Sequence, residues 1–178
     1  MKSKIISISA ISAGFVALFL IIGSYITVTD VFAIVVSSVF VLLPLYYKSF
    51  KGCFMAYLVG AVICTLVCLP TILTSFVLPA FVCFFGIYPI IKFIMQEKKV
   101  NKIVSYVIGL VWCVIAFYGI YFYYTLVAGF VFTDIPLFIV KYIYVFVGLF
   151  AIAFFVIYER FLVFAKAFID RYLGKIVK

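Results

Sequence analysis

Ile103 to Phe132 is a run of 30 residues without one charged side chain. Four more uncharged runs precede it, at Ile5–Gly23, Val31–Tyr47, Cys53–Leu69 and Ile72–Ile91, and Ile135–Tyr158 follows, broken only by Lys141. About 20 apolar residues cross a hydrocarbon core of about 30 Å as a helix, and a helix satisfies its own backbone where no water can. The runs predict an all-α, polytopic integral membrane protein with six transmembrane helices. Their expected positions are about 5–23, 31–47, 53–69, 72–95, 103–132 and 135–160. A water-soluble fold is excluded, because 70% of the chain is hydrophobic and 11% charged, against about 45–50% and 25% in soluble domains. No internal boundary or convincing repeat divides residues 1–178, so a single membrane domain is expected.

The first run follows Lys2 and Lys4, as in a signal peptide, but it exceeds the usual apolar length and no small-x-small cleavage pattern follows at Gly23-Ser24-Tyr25-Ile26. It is expected to be a retained helix. The fifth run would measure roughly 45 Å as a straight helix, so tilt or an unwound outer end is expected. Basic residues then test the count. Lys2, Lys4, Lys48, Lys51, Lys98, Lys99 and Lys102, with Arg160, Lys166, Arg171, Lys175 and Lys178, fall at every second turnaround and in the tail, whereas the opposite loops hold Asp30, Pro70-Thr71 and Asp134. Cytoplasmic loops collect Lys and Arg, which places both termini inside. The net charge of +9 therefore reports topology and not a nucleic-acid partner.

After residue 160, Phe161, Phe164, Ala165, Phe168, Ile169, Tyr172 and Leu173 recur at helical spacing beside Arg160, Lys166, Asp170, Arg171 and Lys175. An amphipathic helical extension over 161–178 is expected, lying on the inner leaflet or docking a partner.

Helix one places Ser9, Ala13 and Ala17 four residues apart, with Ala10 and Gly14 alongside. Small residues let membrane helices approach closely where lipid offers no hydrophobic drive. The seam serves packing within this bundle or a face for another subunit. The outer half of helix five carries Tyr118, Tyr121, Tyr123, Tyr124 and Thr125, and helix six begins with Lys141, Tyr142 and Tyr144. These tyrosines form an interfacial belt or line a pocket whose hydroxyls orient a flat solute. Lys141 must snorkel to outer headgroups or pair with Asp134, Asp30 or an anionic substrate group. Lys92 has the same choice at the inner end, and its position favours snorkelling. Pro79, Gly86 and Pro89 predict a kinked fourth helix.

Catalytic raw material is scarce. Histidine is absent and the five acids are scattered, so neither a Ser-His-Asp triad nor an HExxH helix can be assembled. The cysteines at 53, 64, 68, 83 and 113 fall in apolar spans and are expected to be reduced packing residues. No metal, cofactor or enzymatic role is expected, and no GxxxxGK nucleotide loop is present.

Six helices in under 200 residues, cytoplasmic termini, the Ser9/Ala13/Ala17 seam, a short outer loop leading into Asp30, and the stretch Phe84-Phe85-Gly86-Ile87-Tyr88-Pro89-Ile90-Ile91-Lys92 together resemble the S components of energy-coupling factor vitamin transporters. The resemblance spans nearly the whole chain. It implies a multi-pass protein of the bacterial cell membrane that captures a vitamin or similar small molecule from outside. A transmembrane coupling subunit and two ATP-binding cassette ATPases would be its partners. It further implies coupling through Ser9, Ala13 and Ala17, and substrate contacts by Tyr118, Tyr121, Tyr124, Asp134 and Lys141. The alternatives are a small non-catalytic assembly or regulatory subunit and, more remotely, a membrane enzyme acting on lipids.

Overall fold

The computed structural model describes residues 2–69, 75–126 and 142–176, with side-chain exposure from Ser3 to Arg171. Every regular element among them is helical: α1 (Lys2–Tyr25), α2 (Asp30–Val41), α3 (Phe50–Val67), α4 (Val77–Ala80), α5 (Tyr88–Glu97), α6 (Lys102–Leu126) and α7 (Ile143–Ile176). Short 3₁₀ turns lie at Thr27–Thr29 and Leu43–Tyr47, and a π-helical turn at Phe81–Phe85 joins α4 towards α5. Six segments are long and apolar enough to cross a membrane: Ser3–Tyr25, Thr27–Tyr47, Phe50–Val67, Val77–Glu97, Lys102–Leu126 and Ile143–Arg171. The chain is thus an all-α multi-pass membrane protein.

Span two is α-helical only to Val41, because Pro44 lacks the amide that the next turn would use and the chain tightens into the 3₁₀ turn. Lys48 then takes a left-handed conformation (φ 52°), and Ser49 starts α3 by accepting the Gly52 amide at 3.1 Å. The sixth helix runs unbroken from 143 through the predicted end at 160 to 176. The amphipathic extension is therefore a continuation of the span, and it turns Leu162, Ala165 and Ile169 inward while Phe164 stays exposed. The predicted parts of spans five and six at 127–132 and 135–141 lie outside the described residues.

The fourth span is the centre of the bundle: 67% of its apolar window is buried, against 17% for the fifth. Its kink takes a specific form. A π turn leaves carbonyls without their usual helical partners, and three neighbouring helices supply donors. Tyr57 of α3 donates to the Val82 carbonyl at 3.1 Å, Trp112 of α6 to Cys83 at 2.9 Å, and Tyr158 of α7 to Phe85 at 3.4 Å. Gly86 follows, where a Cβ would sit 3.0 Å from the Phe81 ring and against the Tyr57 ring.

Helix α1 packs on α2 and α3, and α6 on α7. Ser12 donates to the Phe40 carbonyl and Ser37 to the Val16 carbonyl at 3.4 Å, tying α1 to α2 within lipid. Against α3 the contact is made by small residues. A Cβ on Gly52 would lie 2.5 Å from Ser9 Oγ, and one on Gly60 2.5 Å from Val16 Cγ1.

Candidate functional site

The predicted residues separate into three places. On α1, Ala13 and Ala17 are 5% and 4% exposed, so most of the small-residue seam lies within the bundle, against α3. Ser9 donates to the Ile5 carbonyl at 2.8 Å. The counterpart on α3 is Gly52, Ala56 and Gly60, again four apart, with Ala56 fully buried. Sequence reasoning passed over this second seam although the same spacing rule exposes it.

On α6, Tyr118 donates to the Tyr144 carbonyl of α7 at 2.7 Å. Tyr121 meets the Tyr144 ring edge-on at 5.6 Å and lines a cleft of about 460 Å³ with Phe117, Ile120, Phe146, Val147 and Phe150. Tyr124 is turned away from that seam. It packs on the core and comes within electrostatic reach of Asp30 at the start of α2. Asp30 Oδ1 is buried and accepts no hydrogen bond among the described residues. The described tyrosines thus face two directions, Tyr118 and Tyr121 towards α7 and Tyr124 towards α2. Asp134 and Lys141 lie outside the described residues.

The third place corrects the expectation for Lys92. This side chain does not snorkel: it is 2% exposed, and its ammonium lies 2.9 Å from Glu159 Oε1 of α7. It also approaches the Glu159 carbonyl at 3.4 Å. Tyr88, one turn earlier on α5, donates to Glu159 Oε2 at 2.7 Å. Both carboxylate oxygens are therefore engaged, which is what makes a buried ion pair tolerable in a medium that penalises each charge by several kcal/mol. Glu159 was missed because it stands next to Arg160 at the expected end of span six, where a charge needs no explanation.

Aromatic rings close over this network. Phe84 stacks on Tyr88 at 4.9 Å, Phe85 meets Tyr158 at 5.0 Å, and Phe155 meets Tyr88 at 5.7 Å. Gly109 of α6 admits the Tyr88 ring, since a Cβ there would lie 2.6 Å from the hydroxyl. At the lysine-rich end, the interface of α5, α6 and α7 is a filled, hydrogen-bonded plug.

No family model, curated protein or solved structure matches the chain.

Proposed function

We propose that this chain is the substrate-binding membrane subunit of an energy-coupling factor type importer, taking a vitamin-like small molecule from the side opposite its lysine-rich face. The observation that carries this reading is the asymmetry of the bundle's two ends. At the lysine-rich end, Lys92, Glu159 and Tyr88 engage one another under a stack of rings. Towards the other end lie Tyr118, Tyr121, Tyr124 and the Asp30 oxygen that accepts no hydrogen bond among the described residues. Buried polar atoms of that kind orient a ligand in an otherwise apolar site. An α5–α6–α7 interface closed at the lysine-rich end would hold a cargo until a partner reorients the subunit. Here Asp30 and Tyr124 would bind polar groups and Tyr118 and Tyr121 would flank the entrance, with Asp134 and Lys141, which lie outside the described residues, as further binders.

The test is purification from native membranes with mass spectrometry of the retained small molecule and of copurifying subunits. A retained solute together with an ATPase-bearing coupling module supports the reading, and loss of the solute in Asp30→Asn ties it to the site. A second reading, a non-catalytic assembly or regulatory subunit, is favoured by one observation: Ala13 and Ala17 are buried within the bundle and do not face outward. It prevails if Asp30→Asn and Tyr121→Ala leave uptake of every tested vitamin unchanged while Phe164→Lys, on the exposed face of α7, releases a copurifying protein.

A further inference from the structure

A further concavity lies elsewhere, between α1 and α3 at the lysine-rich end. It measures about 530 Å³ and is lined by Ile5, Ile6, Ser9, Ala10, Ala13, Ser49, Lys51, Gly52, Met55 and Val59. Such a volume falls in the range of ligand sites, about 300–1,000 Å³. Its form follows from the sequence. Ser9, Ala10 and Ala13 on one wall and Gly52 on the other leave a trough where larger side chains would have filled the seam, and Ile6, Met55 and Val59 stand at its rims.

Three properties specify an occupant. The walls are apolar, and their two hydroxyls are already engaged, Ser9 with the Ile5 carbonyl and Ser49 with the Gly52 amide. The trough runs from Ile5 to Ala13 on α1 and from Lys51 to Val59 on α3, about 12 Å along either helix at 1.5 Å per residue. That is close to the depth of one leaflet, half of a hydrocarbon core of about 30 Å. Charge is confined to the end where the trough meets the headgroup region. Lys51 is exposed there, Lys4 is exposed one residue before Ile5, and no carboxylate lines the trough.

We propose that the α1–α3 trough seats one acyl chain of an anionic phospholipid from the leaflet on the lysine-rich side, with the lipid phosphate on Lys51. The trough supplies the apolar contact, and the ammonium selects the headgroup. Neither element depends on the proposed import.

Native mass spectrometry tests this on the full chain extracted from vesicles of equal phosphatidylglycerol and phosphatidylcholine. The wild type should retain one phosphatidylglycerol in preference to phosphatidylcholine. Lys51→Glu should lower that preference about fivefold or more, the worth of one near-surface cation, while Lys102→Glu, a lysine outside the trough, should not. Ala10→Leu should abolish retention of either lipid by filling the trough. Met55→Trp provides an independent filling variant at a 58% exposed position, should Ala10→Leu fail to fold. Equal retention of the two lipids by the wild type would overturn the proposal, as would equal effects of Lys51→Glu and Lys102→Glu. A photo-crosslinker at position 10 that captures a protein helix in native membranes would do the same.

Discussion

Removing the Glu159 carboxylate probes the plug most sharply. In Glu159→Ala the Lys92 ammonium, 2% exposed, keeps its desolvation but loses its counter-charge, a situation that costs about 3–5 kcal/mol. The Tyr88 hydroxyl loses its 2.7 Å acceptor as well, about 1–3 kcal/mol taken alone. The two losses share one network and do not add, so a destabilisation near 4 kcal/mol is expected. For a chain of this size about 2–4 °C accompanies each kcal/mol, a fall of roughly 8–16 °C in melting temperature in detergent. Lys92→Met should cost less, because Glu159 is 20% exposed and keeps the Tyr88 donor. The double variant Lys92→Met with Glu159→Met should recover most of the loss, since apolar replacement of a whole buried pair is often neutral. A double-mutant cycle read by thermal unfolding of the purified protein supplies the coupling. A coupling below about 1 kcal/mol, or a double variant as unstable as Glu159→Ala, would refute the reasoning.

Other outcomes follow from the same geometry. Gly60→Ala places a Cβ 2.5 Å from Val16 Cγ1, so overpacking should cost about 1–3 kcal/mol, whereas Gly14→Ala, with nothing within 4 Å, should be neutral or slightly stabilising in the same assay. Tyr57→Phe leaves the Val82 carbonyl of the π turn without its donor and should cost about 0.6–2 kcal/mol in unfolding measurements. In a cysteine-free background, Val28→Cys, at a 93% exposed position, should react with an impermeant thiol reagent from the outer side and Lys99→Cys should not. Position 24 is unsuited to that assay, because Ser24 is 8% exposed and donates to the Leu20 carbonyl at 2.8 Å.

The six spans were legible because each is a local property: uncharged length sets a crossing. The kink in span four was equally local, announced by Pro79, Gly86 and Pro89. Its π geometry was not, since that depends on donors from Tyr57, Trp112 and Tyr158 on three other helices. The fate of Lys92 was hidden for the same reason. Its partner lies 67 residues away, and nothing in the local run distinguishes a lysine that reaches water from one turned towards α7. The small-residue seam on α1 was visible, but whether it faces lipid or α3 rests on Gly52, Ala56 and Gly60, whose matching spacing is informative only when the two helices are considered as a pair. The tyrosines of α6 were recognised as a group by density, and helical phase then separates Tyr124 from Tyr118 and Tyr121.

Access to the bundle interior from each side is the most direct measurement. Cys113 is fully buried, its sulfur 3.7 Å from the Ala151 carbonyl, on the α6–α7 interface that the Lys92–Glu159 plug closes. With the other cysteines replaced by alanine and the protein oriented in vesicles, Cys113 should stay unmodified by an impermeant maleimide applied to the lysine-rich face. Tyr121→Cys, in a fully cysteine-free chain, should be modified from the opposite face. Modification of Cys113 from the lysine-rich side, or a silent Tyr121→Cys, would contradict an α5–α6–α7 interface sealed at its lysine-rich end and open to a solute at the other.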